Sequence, residues 1–251
     1  MNRVRTSLAP LAYPARVQWA GAAICAEVAH HIPVDAGEIA RLGAIAKPLA
    51  ISANQAVISE GEAAKHTFLV STGALRVSRS LPDGRRLITA FLFAGDFLGF
   101  TVDGRYKFAV ETITPVRLCR FLRPDLEALL DSCPQLRNAL FHFAIEELRL
   151  AQDHMVLLGR MSATEKLASF LLHLTWRNAR GGTQGKPPSV PLPMTRDDIA
   201  DHLGLTTETV SRTLAQLRDK GTIDIPTPRS ITVLRPKELA TLAGSRPAPP
   251  V

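Results

Sequence analysis

The chain has 251 residues, with 30 Lys and Arg against 23 Asp and Glu, a formal net charge of +7, and 46% hydrophobic residues. This composition excludes wholesale disorder and suits one large or two small globular domains; the basic excess favours a polyanionic partner, nucleic acid or an acidic membrane surface. Three cysteines, Cys25, Cys119 and Cys133, are too few for a disulfide framework, so a reduced, cytoplasmic protein is expected.

In chain order, residues 1–31 read as an irregular arm bearing Arg3, Arg5 and Arg16. Its apolar run from Val17 to Ala29 contains Glu27 and is well short of the ~20 residues a bilayer span needs, so no membrane partner is expected. A short helix follows the arm. Residues 32–133 then read as a small β-roll. Short β-rich runs cover Gln55–Ser59, Thr67–Ser71, Ala74–Ser80, Arg86–Leu92, Lys107–Glu111 and Val116–Phe121, with glycines between or at their ends. Pro82-Asp83-Gly84 predicts a turn, because proline presets one backbone angle and glycine accepts a positive one.

Pro134 opens a long helix, and residues 134–162 form the third segment. Leu140, Ala144, Leu148, Ala151, Met155 and Leu158 recur at helical spacing along it. From Pro134 to Arg160 the helix is roughly 40 Å long, too long to bury that stripe on one small roll. An amphipathic surface helix and a two-helix coiled coil between identical subunits both fit, and the seam length favours the homodimer. A second helix from Thr164 to Arg180 is expected to expose Lys166, Arg177 and Arg180 and to bury Leu167, Phe170, Leu171 and Leu174. The Gly-rich run from Gly181 to Pro188 breaks it.

Residues 163–244 carry the functional signal. Thr195 can cap a helix, with Asp198 three residues on. Ile199, Leu203 and Leu205 face inward, Gly204 suits the turn, and Thr206 can cap a second helix with Val210, Leu214 and Leu217 inward. Together they spell a helix-turn-helix. Glu208, Ser211 and Arg212, at i, i+3 and i+4, share the outward face at the end that meets base edges. Arg212 can donate twice to guanine, and Glu208 can accept from cytosine. The alternative for this triplet is a solvated face with an i,i+4 ion pair of a few tenths of a kcal/mol. Thr222–Ile225 and Ser230–Leu234, joined through Pro226 to Arg229, read as the hairpin of a winged helix, and residues 245–251, with three prolines, as a disordered tail.

The order of these parts resembles the CRP/FNR family of bacterial transcription regulators over roughly Ile32 to Gly244, most specifically from Leu203 to Arg212. The resemblance implies an α+β protein: an N-terminal cyclic-nucleotide-binding-like β-roll, a long dimerisation helix and a C-terminal winged helix-turn-helix. Glu208, Ser211 and Arg212 look like the FNR/FixK branch, implying a homodimer on a TTGAT-N4-ATCAA inverted repeat with half-sites ~34 Å apart. By the same resemblance Thr207 joins Glu208, Ser211 and Arg212 in base readout. Thr195, Arg196, Thr206 and Thr209 would hold phosphates. RNA polymerase would be a partner, and the function would be activation of low-oxygen or nitrogen-oxide metabolism.

The alternative is a ligand- or redox-sensing roll, taking a cyclic nucleotide, heme or an iron–sulfur cluster, with a different operator. In family members that bind cyclic AMP, a Gly-Glu pair is followed by Arg-Ser or Arg-Thr; here Phe100 follows Gly99, and Arg105 is followed by Tyr106. The family's cluster needs four thiolates, whereas the matching positions offer Ala22, Cys25, His31 and Cys119. Cys25, His31 and Cys119 therefore remain metal candidates only for another site type. The seven histidines are scattered and mark no heme ligand. No resident cofactor is expected. No nucleophile–base pair, phosphate-cradling glycine loop or closed metal-ligand set is present, so no enzymatic chemistry is expected.

Overall fold

The computed structural model describes residues 36–84, 86–179, 187 and 189–244. The arm and tail expectations, Cys25, His31, Arg180 and most of the Gly-rich loop lie outside these residues. Helix α1 (Ala36–Ile45) leads into β1 (Lys47–Ile51), β2 (Ala56–Ile58), β3 (His66–Thr72), β4 (Leu75–Ser80), β5 (Arg86–Leu92), β6 (Phe97–Leu98), β7 (Ala109–Thr112) and β8 (Val116–Leu122). These strands form two four-stranded sheets, ordered β1-β8-β3-β6 and β2-β7-β4-β5, which make the roll. Helices α2 (Arg123–Ser132), α3 (Pro134–Arg160) and α4 (Ala163–Ala179) follow. The C-terminal portion comprises β9 (Ser189–Pro191), α5 (Arg196–Leu203), α6 (Thr207–Asp219), β10 (Ile223–Thr227), β11 (Ser230–Val233) and α7 (Pro236–Leu242).

Strand β3 shows how the roll is filled. It is buried along almost its whole length because both its faces are covered. Phe68 and Val70 face the roll interior with Ile58, Leu75, Leu118 and Tyr106. Leu69, with Cys119 and Phe121 of β8, faces the other way, under residues of α1, α2 and α3. Two-sided burial erases the period-two pattern that a half-solvated strand would show. Tyr106 is buried in this interior and its hydroxyl donates to the carbonyl of His66 at 2.7 Å. Gly99 has φ +94°, and a Cβ there would lie 2.8 Å from the same carbonyl, so a side chain would break the packing of this turn against β3.

The predicted turn at Pro82 to Gly84 is present, with Gly84 N–H donating to the carbonyl of Leu81 at 2.9 Å. Strands β1, β6 and β9 and helices α2 and α7 are additions to the sequence reading. β6 has two residues and β9 three, too few to carry a periodic signal. Helix α2 starts directly at the end of β8 with Pro124 in its first turn, where proline's missing N–H costs nothing. β7 begins two residues later than expected, at Ala109.

Helix α3 spans 27 residues, as the spacing predicts. The stripe along it needs correction. Leu140 is buried in the cluster beneath α1 and α2, and Leu158 packs on the core of the C-terminal portion. Both ends of α3 are thus used within the chain. The exposed stripe between them is Phe141, Ala144, Ile145, Leu148, Ala151 and Met155. On α4, Leu167, Phe170, Leu171 and Leu174 are buried as expected. Lys166 is not exposed: its ammonium donates to the carbonyl of Leu203 at 3.1 Å and so supports the end of α5. Arg177 is half-buried, one terminal nitrogen donating to both carboxylate oxygens of Asp96 at 2.6 and 2.7 Å, and its guanidinium lies 5.3 Å from the Phe93 ring centre. Among the described residues no helix is long and apolar enough to cross a membrane.

Candidate nucleic-acid interface

Two capped helices and a left-handed glycine build the interface. Thr195 caps α5: its hydroxyl accepts from the Asp198 N–H at 3.1 Å, and the Asp198 carboxylate accepts from the Thr195 N–H at 3.1 Å. This reciprocal box satisfies two of the donors that a helix start leaves open. Gly204 ends α5 at φ 60° and ψ 46°, a conformation costly for other residues. A Cβ there would also meet the Leu158 side chain at 3.3 Å. Thr206 then caps α6, its hydroxyl accepting from the Thr209 N–H at 3.2 Å. Ile199, Leu203, Val210, Leu214 and Leu217 close the core between the two helices.

One bond joins the two helix starts. The Thr207 hydroxyl donates to Asp197 at 2.6 Å. Thr207, expected among the base readers, is half-buried and committed to this bond; it fixes the angle at which α6 leaves the turn. No local sequence rule connects residues ten apart in this way, so only the folded geometry finds it.

The other three readers behave differently. Glu208, Ser211 and Arg212 are exposed on one face of α6. Among the described residues Arg212 has no intramolecular partner, and its guanidinium is free to meet a ligand. The i,i+4 ion pair with Glu208, the alternative to base readout, is not formed. The Glu208 carboxyl is held below its ordinary pKa by its own backbone N–H and the Thr206 hydroxyl, so it is present as an acceptor. Thr195 and Thr206 are exposed, while Thr209 is half-buried with its hydroxyl 3.1 Å from that of Thr206. Arg196 is half-buried; burial lowers its pKa, and one terminal nitrogen is buried without a hydrogen-bond partner. Arg196 stands in the first turn of α5, where the open N–H groups of a helix start favour an anion.

The hairpin β10–β11 lies beside α6 and gains β9 as a third strand, Val190 pairing with Ile231. Arg229, Thr227 and Ser230 form its exposed tip, with the two hydroxyls 2.8 Å apart.

Of the metal candidates only Cys119 lies within the described residues. Cys119 is fully buried on β8. Cys25 and His31 lie outside the described residues. Cys133 is free and buried. Among the described residues no group of three His, Cys, Asp or Glu could hold a metal ion. In the roll, Phe100 rather than a carboxylate follows Gly99, one nitrogen of Arg105 donates to the carbonyl of Gly61 at 2.8 Å, and the interior is lined by apolar side chains.

Comparison with known proteins agrees with this geometry. Residues 165–242 match the Crp-like helix-turn-helix domain family, and residues 48–133 match the cyclic nucleotide-binding domain family. The chain is 41% identical over 212 residues to the nitrogen fixation regulation protein FixK of Bradyrhizobium diazoefficiens, covering 84% of this chain and 88% of that one. It is 41% identical over 225 residues to the transcriptional activatory protein AadR of Rhodopseudomonas palustris, covering 90% of each. The solved structure of FixK2 from Bradyrhizobium japonicum superposes with a TM-score of 0.73 at 36% identity, covering 79% of this chain and 97% of that one.

Proposed function

The chain belongs to the CRP/FNR family, in its FixK-like branch, and from that premise we propose that it reads a TTGAT-N4-ATCAA-type inverted repeat as a homodimer. It is a DNA-binding transcription activator of the FNR type, not an enzyme. The observation that carries the operator reading is the exposed triplet Glu208, Ser211 and Arg212 at the start of a capped helix, with Arg212 unpaired. Arg212 reads guanine and Glu208 the cytosine of the same or the next pair. Thr195, Arg196, Thr206 and Thr209 bind phosphates around the two helix starts.

The exposed stripe from Phe141 to Met155 supports the dimer. Its apolar positions recur near the coiled-coil period over two heptads, which suits a seam with a second copy, and in such a dimer the two recognition helices would read half-sites one helical turn apart. The protein works without a resident cofactor; the filled roll interior supports that reading over cyclic nucleotide sensing. RNA polymerase is the further partner, and genes of low-oxygen or nitrogen-oxide metabolism are the targets.

The test is a titration of anaerobically purified protein on the TTGAT repeat and on a scrambled duplex, before and after air, with an absorption spectrum of each sample. Tight binding to the repeat in both states, without colour, is expected. Equal affinity for the scrambled duplex overturns the operator reading. Binding only without air, with a chromophore that bleaches, overturns the cofactor-free reading.

A further inference from the structure

Helix α5 is gripped by the roll through its acidic side. Arg86 of β5 donates to Asp198 at 3.1 Å and to Asp201 at 3.0 and 3.3 Å. Arg76 of β4 donates to Asp198 at 3.3 Å and to Glu111 of β7 at 2.9 Å. One residue further along α5, the His202 ring bonds the carbonyl of Ile88 at 3.1 Å, with Phe91 packed on its edge. The Asp198 side chain is only 3% exposed, so its charge is fully committed to these partners.

Asp198 does two jobs at once. One oxygen closes the capping box at Thr195, and the other receives both roll arginines. The capped turn is the one that offers Thr195 and Arg196 to a phosphate, and Asp197 within it holds Thr207 and hence the start of α6. Any shift of α5 on the roll therefore moves both helix starts together. The grip also has a charge consequence. Asp197, Asp198 and Asp201 place three carboxylates on a helix that must approach a polyanion, and Arg76 and Arg86 neutralise two of them.

We propose that Arg76 and Arg86 of the roll are positioning residues for DNA binding: through Asp198 and Asp201 they hold the first helix of the motif, and through it the recognition helix, in the orientation that meets DNA. This rests on the DNA-binding reading above. The roll thereby sets operator affinity without touching DNA and without a small ligand. Loosening the grip frees the two helices to turn as a unit and leaves bare carboxylates facing the phosphates.

The experiment measures operator Kd for Arg86→Ala, Arg86→Lys, Asp201→Asn and the double variant Arg86→Ala/Asp201→Asn in the full chain, with amide hydrogen exchange of α5 and α4 in the absence of DNA. Arg86→Ala is expected to raise Kd about tenfold, a typical coupling between sites, and Arg86→Lys by much less. The double variant should recover part of the loss, because the carboxylate left bare is gone. Amides of α5 should exchange faster in Arg86→Ala while those of α4 do not change. If Arg86→Ala does not fold, Arg86→Gln keeps the volume and replaces it. An unchanged Kd in Arg86→Ala, or a double variant no better than the single, overturns the proposal. A wild-type protein indifferent to operator sequence sinks the operator reading instead; the exchange rates of α5 then decide the grip alone.

Discussion

Helices α5 and α6 belong to one motif and use their polar side chains in opposite ways. On α5, Asp198, Asp201 and His202 turn toward the roll and each has a partner there. On α6, Glu208, Ser211 and Arg212 turn to solvent, and Arg212 has none among the described residues. The difference separates scaffold from reader. A buried charge must be paired or its desolvation goes uncompensated, whereas an exposed arginine keeps its water and can exchange it for a base at little cost to the fold. Substitutions on the roll-facing side of α5 should therefore act on stability first, and substitutions on the outer face of α6 on recognition alone.

The sharpest contrast comes from the core. Leu171 of α4 is fully buried between the two helices and the hairpin. Leu171→Ala should cost about 2–5 kcal/mol of stability in chemical denaturation, since the site cannot collapse around the cavity. A loss confined to operator affinity, with the denaturation midpoint unchanged, would break the distinction drawn here.

Acid should act on the inner side in the same sense. Burial, with His154 stacked at 4.3 Å, pushes the His202 pKa down to about 3, and burial lowers that of His154 as well. Both rings are neutral in the fold and bind protons more readily when unfolded. Their contribution is therefore full above the ordinary histidine value of about 6.5 and is lost progressively as pH falls below it. For His202 the slope is up to ~1.4 kcal/mol per pH unit. Between pH 6.5 and 5, above most carboxylate titrations, His202→Gln should flatten the fall in stability; an unaltered slope would place the ring outside the core.

Recognition should then fail without unfolding. Arg212→Ala should leave thermal unfolding unchanged and remove roughly 1–3 kcal/mol of discrimination at the guanine, read from Kd on matched and substituted duplexes. The smallest change is expected at the phosphate contacts. Arg196→Ala should weaken all duplexes alike and reduce the slope of log affinity against log salt by about one.

Much of the motif was legible in the sequence. Thr195 with Asp198, Gly204, and Thr206 lie within a turn or two of the groups they satisfy, so their roles follow from spacing alone. The apolar positions of α4, α5 and α6 follow from helical period. The triplet on α6 follows too, because the face opposite a buried face must be outward.

The sequence misled where partners are distant. Lys166 looks like an ordinary surface lysine until the end of α5 is brought to it. Thr207 belongs with the readers by position and with the scaffold by its bond to Asp197. Leu140 and Leu158 share the period of the α3 stripe, yet the roll claims one and the DNA-binding core the other. Period states which residues share a face of a helix and says nothing of which neighbour covers each part of it. The same holds for Arg76 and Arg86, whose spacing in β4 and β5 carries no sign that Asp198 and Asp201 lie opposite. Local chemistry, caps, turns and helical faces, was set by the sequence itself, since each acts within a few residues. Tertiary structure alone decided the partners of Arg76 and Arg86 on α5, because these ion pairs join residues more than a hundred positions apart once packing has brought them together.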